Sequence, residues 1–117
     1  MDDSDARRRL ERLREQTVAG IAGREAELAG LMAASRDSNA DDEHDPEGAT
    51  IGFERAQASS VAEGMRMRLA EIDAALGRLD AGTYGRCERC GRAIAPARLA
   101  ARPFATLCLD CQAEAGR

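Results

Sequence analysis

Four cysteines, Cys87, Cys90, Cys108 and Cys111, constrain this 117-residue chain more than any other feature. They form two Cys-x2-Cys pairs separated by 17 residues, and the sequence has no other cysteine. Two close pairs at that separation can set four thiolates at the corners of one tetrahedron, the geometry that Zn²⁺ prefers. Gly91 follows the first pair, where a knuckle must turn so that backbone N–H groups approach the sulfurs. The second pair is expected to open a short terminal helix running through Ala115. Four thiolates around one Zn²⁺ leave excess negative charge, which Arg86, Arg89 and Arg92 can partly offset. With four protein ligands no coordination position stays open, so the expected cofactor is one structural zinc. Its binding energy supplies cohesion that the few apolar groups of residues 82–117 cannot.

The totals narrow the function. Aromatic residues make up 3% of the chain, namely Phe53, Tyr84 and Phe104, too few for a broad globular core but enough for an Ala- and Leu-rich helical assembly. The net charge of −4 gives the whole molecule no attraction for free nucleic acid. The start, Met1-Asp2-Asp3-Ser4-Asp5, is acidic where a signal peptide is basic, and no apolar run approaches a membrane span. A cytoplasmic protein without membrane contact is expected, and reduced thiols there favour metal over disulfides. A lone Cys-x2-Cys suits redox chemistry, whereas two at this spacing favour metal. Residues 82–117 hold six Arg against Glu88, Asp110 and Glu114, a mildly basic balance. They offer no groove-reading helix rich in Arg, Asn or Gln, so direct sequence-specific DNA binding is not expected. Nothing resembles a nucleophile–base pair or an open metal site, so the chain is not expected to be an enzyme.

Residues 1–81 read as two helices. From about Ser4 to Ser35, Leu10, Leu13, Thr17, Ile21, Leu28 and Leu31 recur at helical spacings, with Ser4 or Asp5 available as the cap. Gly20, Gly23 and Gly30 weaken that helix by roughly 1 kcal/mol each relative to Ala. Turn formers and acids fill a tip loop at about 37–49. Asp45-Pro46 starts the second helix, as N-cap and first helical residue. Ala58, Ala62, Met65, Leu69, Ile72, Leu76 and Leu79 then keep an unbroken heptad pattern, and Gly82 is placed to end it. Helices of about 30 residues would be roughly 45–50 Å long. Pairing them antiparallel within one chain buries both stripes across a short polar connection, so a monomer is expected rather than a helix pair shared between chains. The fold class is therefore mainly α: an antiparallel coiled-coil hairpin followed by a four-cysteine zinc finger over 82–117.

The finger carries a family resemblance. Tyr84-Gly85-Arg86-Cys87-Glu88-Arg89-Cys90-Gly91 through Ile94, and Arg98-Leu99-Ala100-Ala101-Arg102-Pro103-Phe104-Ala105-Thr106-Leu107-Cys108-Leu109-Asp110-Cys111, resemble the DksA/TraR-type zinc-finger proteins. The expected hairpin fits as well. The resemblance implies a transcription regulator that binds bacterial RNA polymerase. Its coiled coil would enter the secondary channel, bring an acidic tip towards the catalytic region and modulate initiation, often together with ppGpp. The Asp37–Glu47 loop has six acidic residues and no Arg, a self-repelling cluster that a partner gains by neutralising. The family's tip pattern is Asp-x-x-Asp-x-Ala. Counting back from the finger gives His44-x-x-Glu47-x-Ala49, and aligning carboxylates gives Asp42-x-x-Asp45-x-Glu47; neither is a full match. Asp42, Asp45 and Glu47 are the candidate tip contacts, and Arg89, Arg92 and Arg98 the candidate finger contacts. Gln112 stands where the family has a Lys that helps hold ppGpp, which argues against the alarmone as a partner. The alternative is a zinc-stapled DNA-binding or adaptor protein that does not act through the channel; it would be indifferent to the tip, and a DNA binder would depend on the three Arg. Asp37-x-Asn39-x-Asp41 imitates the start of a calcium loop, but Asp42 and Gly48 stand where that loop needs Gly and Glu.

Overall fold

Asp2 rather than Ser4 or Asp5 caps the first helix: its Oδ1 accepts the backbone N–H of Asp5 at 2.8 Å. In the computed structural model, which describes residues 2–38 and 46–116, helix α1 runs Asp3–Ser38 and α2 runs Pro46–Ala81. Each has 36 residues, longer than the expected 30 or so. The extra turns have a plain cause: residues 35–38 contain neither Gly nor Pro, and Pro46 begins α2 at its first position, as expected. The expected cap, Asp45, lies outside the described residues. Gly82 closes α2 with φ 78°. Its N–H reaches the Leu79 carbonyl at 3.3 Å and the Thr83 N–H reaches that of Arg78 at 2.9 Å, the paired bonds of a Schellman stop.

The helices pair antiparallel as a hairpin, and the chain packs as two compact units. One, the terminal unit, holds the residues through Glu15 and those from Leu69 onward; the other, the central unit, holds Gln16–Arg68. In the terminal unit Arg7 meets Asp80 and Arg14 meets Asp73, each at 2.7 Å. Its core joins Ala6, Leu10, Ile72, Ala75 and Leu79 to Phe104, with Leu13, Leu76 and Tyr84 packed against them. Every Leu and Ile here is a stripe position anticipated above; Ala6, Ala75 and Phe104 are not. In the central unit Ala58 and Ala62 are buried, Met65 is half-buried, and Arg66 reaches Glu25 at 2.9 Å. Among the described residues no helix is long and apolar enough to cross a membrane.

After α2 come two short helices, α3 (Pro96–Ala101) and α4 (Leu109–Ala115). The second matches the expected terminal helix. The first is an addition to the sequence reading, although Pro96 at its first turn is a start signal. Its contribution is to bury Leu99.

Candidate metal centre

Both Cys-x2-Cys pairs sit on backbone that is held in place locally. In the first, Arg86 and Ala93 bridge antiparallel, with Ile94 N–H on the Gly85 carbonyl at 2.7 Å and Cys87 N–H on the Arg92 carbonyl at 2.8 Å. The turn closes when the Gly91 N–H reaches the Cys87 carbonyl at 2.9 Å, with Gly91 at φ 76°. That left-handed conformation explains the glycine after Cys90. Gly85 is a second such position, at φ 82°, and an added Cβ would also press the Leu99 side chain at 3.4 Å. In the second pair, extended Cys108 precedes α4, and its carbonyl accepts the first helical bond, from Gln112 N–H at 2.9 Å. Glu88 N–H to the Thr106 carbonyl, 2.9 Å, ties the two knuckles together.

This framework gathers the four sulfurs to within 4.8 Å of one another. Cys90 Sγ and Cys108 Sγ are 3.8 Å apart. A tetrahedron with Zn–S bonds of about 2.3 Å has edges of about 3.8 Å, so one zinc fits after slight contraction of the longer edges. The donor set is all soft thiolate, which suits zinc, and four protein ligands leave no position for substrate. Considered as thiols alone, Cys87 and Cys111 are shifted in opposite directions. Cys87 is lowered to about 6, chiefly by the Cys108 backbone N–H and then by that of Cys90. Cys111 is pushed up to about 12 by its hydrogen bond with the Cys108 thiol and then by burial. Cys87 and Cys111 are buried, Cys108 is half-buried and Cys90 is exposed. One cation among them reverses the cost at Cys111, since metal binds the deprotonated sulfur.

A small apolar shell supports the sulfurs: Ile94, Leu99 and Ala105, with Tyr84 and Leu107 against them. Tyr84 packs on this cluster and on the hairpin core alike. Its hydroxyl donates to the Pro103 carbonyl at 2.8 Å, and burial raises its pKa above the ordinary tyrosine value against the pull of Arg78 and Arg9. Arg78, mostly buried, donates to the Phe104 carbonyl at 3.4 Å.

The three arginines singled out in the finger differ in situation. Arg98 is half-buried and its Nε donates to the Leu107 carbonyl at 2.8 Å, beside the second knuckle. Arg89 is exposed, 3.6 Å from Glu114. Arg92 is exposed and shares a shallow surface with Arg98, Cys90, Cys108, Leu109 and Glu114. Asp42 and Asp45 lie outside the described residues; Glu47 is in the first turn of α2, its side chain likewise outside the described set. Sequence reasoning missed Phe104 as the link to the hairpin and Arg98 as a backbone brace. An isolated aromatic in a chain with two Phe was the available signal for the first.

Residues 82–115 match the model of the prokaryotic dksA/traR C4-type zinc finger. The chain is similar to the solved structure of transcription factor DksA2 from Pseudomonas aeruginosa, with a TM-score of 0.79 and 33% identity, over 97% of this chain and 84% of that one. It is 45% identical over 47 residues to the RNA polymerase-binding transcription factor DksA of Haemophilus influenzae, covering 40% of this chain and 32% of that protein. It is 36% identical over 77 residues to general stress protein 16O of Bacillus subtilis, covering 66% and 47% respectively. The chain thus spans between about a third and a half of the length of the curated relatives it matches.

Proposed function

We propose that this chain, which belongs to the DksA/TraR family of C4-type zinc-finger proteins, is a non-enzymatic cytoplasmic transcription regulator that binds bacterial RNA polymerase as a monomer. One observation carries the proposal: the likeness to transcription factor DksA2 extends over 97% of the chain at 33% identity, hairpin and finger together. A shared finger alone would leave the partner open. The proposed mode is entry of the helix hairpin into the polymerase secondary channel. Asp42, Asp45 and Glu47 would then meet basic side chains or the Mg²⁺ environment of the catalytic region, where initiation is modulated. Six acids without an Arg between Asp37 and Glu47 support this, because clustered carboxylates gain most from a cationic partner. In the finger, exposed Arg89 and Arg92 are the proposed partner contacts, and Arg98 adds its outer guanidinium nitrogens while its Nε stays on the Leu107 carbonyl. The proposal does not require ppGpp, since exposed Gln112 stands where the family's Lys would.

The test is binding of the zinc-loaded protein to purified RNA polymerase core enzyme, with a photo-crosslinker at Asp45. Crosslinks to the largest subunits near the active centre are expected. Tight binding with crosslinks elsewhere would remove the channel mode, and absence of binding at micromolar concentration would overturn the polymerase partner. Replacing Asp42 and Asp45 by Asn and Glu47 by Gln should abolish the regulatory effect and leave helicity and zinc content unchanged. A DNA-binding or adaptor protein would be indifferent to that change.

A further inference from the structure

The two units of the helix pair are built to very different strengths. In the terminal unit Leu10 and Ile72 are fully buried, and Leu79 and Phe104 nearly so. In the central unit the buried side chains among the described residues are the single methyl groups of Ala58 and Ala62. Of its larger apolar residues, Val18, Met32, Phe53, Val61 and Met67 are between 39% and 68% exposed, and Ile21, Leu28, Leu31, Ile51 and Met65 are only half-buried. Buried apolar area drives closure, and methyl groups supply little of it. Exposed apolar side chains supply still less.

Glycines widen the gap. The central unit's helices contain Gly20, Gly23, Gly30, Gly48, Gly52 and Gly64. Gly20 has a packing reason, since a Cβ there would lie 3.0 Å from the Met65 methyl. At Gly23, Gly30, Gly52 and Gly64 a Cβ would meet nothing within 4 Å, and none has a positive φ. Neither packing nor backbone geometry requires glycine at those four sites, so their physical effect is to lower helix stability. The corresponding stretch of the terminal unit, α1 to Glu15 and α2 from Leu69, has Gly77 alone.

We propose that the central unit opens and recloses as a cooperative unit of its own while the terminal unit, held by its Leu, Ile and Phe core and the metal centre, stays folded. The proposal stands apart from the identity of any partner, because it concerns the free chain. Its functional consequence is that whatever grips the central unit selects the closed form from an equilibrium already running.

Native-state hydrogen exchange on the zinc-loaded full chain tests this. Amides in the helical stretches 16–34 and 50–68 should exchange on the order of 100-fold faster than those in 3–15 and 69–81, beyond differences in intrinsic rate. The combined variant G23A/G30A/G52A/G64A should then slow the central amides. Each substitution shifts the opening equilibrium by about fivefold at full effect, so the four together give on the order of 10²–10³-fold. Terminal-unit amides should change by less than about tenfold in the same variant. G77A serves as the matched control and should leave the central amides unchanged. Equal protection of both units in the unaltered protein would overturn the proposal. So would equal slowing of both units by the four-fold variant, which would mean that the helix pair opens as one piece.

Discussion

Phe104 is the side chain through which the metal module enters the hairpin core, and replacing it with Ala measures that coupling. It is 9% exposed and packs in the cluster with Ala6, Leu10, Ile72, Ala75 and Leu79. Truncating a buried Phe to Ala costs about 3–5 kcal/mol from lost transfer energy and the cavity left behind. The Arg102 guanidinium lies 5.6 Å from the ring centroid at an exposed position, which adds only about 0.5–1 kcal/mol. The Arg78 bond to residue 104 uses a backbone carbonyl and survives the change. A loss of about 3.5–6 kcal/mol follows, a large part of the roughly 5–15 kcal/mol typical of a domain. Tyr84 makes the assay specific: it is the only Tyr in a chain without Trp, and it packs on both clusters of the terminal unit. Urea unfolding followed by its fluorescence should move to a lower midpoint by about 2–6 M, for a slope of about 1–2 kcal/mol per M. Zinc should remain at one equivalent in the native protein, because the knuckle hydrogen bonds are local. The control is Leu109→Ala: at 64% exposure that residue should shift the midpoint little. If Phe104→Ala moved the midpoint by less than about 0.5 M, or no more than the control, the ring would not be joining the two parts.

The remaining predictions concern the centre and its braces. Zinc binding to the metal-free chain at neutral pH should release protons, because Cys111 is pushed up to about 12 and must lose its proton to bind. Affinity should therefore rise with pH and fall further as pH drops through about 6, where Cys87 takes up a proton as well as Cys111. Calorimetry in buffers of different ionisation enthalpy checks this, and zero protons released would refute it. Arg98→Ala should speed zinc loss to a competing chelator by removing the Nε bond to the Leu107 carbonyl, whereas Arg89→Ala and Arg92→Ala should not. Equal rates for all three would deny Arg98 its bracing role. Tyr84→Phe strands the Pro103 carbonyl and should cost about 0.5–1.5 kcal/mol, read as a urea midpoint shift by circular dichroism.

What could be read in advance was whatever repeats or whatever chemistry spaces. The metal pairs were legible because two Cys-x2-Cys turns at one separation suit few other purposes, and Leu109–Ala115 followed from the second pair. Leu10, Ile72 and Leu79 were legible by period. Ala6 and Ala75, equally buried, were not, since alanine suits both faces of a helix. At the start of α1 four consecutive cap-capable residues, Asp2 to Asp5, left the choice to backbone geometry, and Asp2 took it. Arg98 shows the limit of charge as a signal: a guanidinium aimed at a partner and one donating to a neighbouring carbonyl are the same letter.

Phe104 shows the limit of pattern more generally. It shares a buried cluster with Leu10 and Ile72, residues distant in the chain, and no repeat links them. Periodicity describes how one element presents a face; it carries nothing about which single residue of a neighbouring module fills the end of that face. In a chain with so few aromatics one buried ring supplies a large share of the apolar area of the cluster it joins, here one otherwise built from Ala, Leu and Ile with Tyr84 packed against it. The central unit receives no such insertion among its described residues, and there only the methyl groups of Ala58 and Ala62 are buried while Ile21, Leu28, Leu31, Ile51 and Met65 are half-buried. The strength of the helix pair is therefore set locally, by what each stretch has to bury, and not by the heptad pattern that both stretches share.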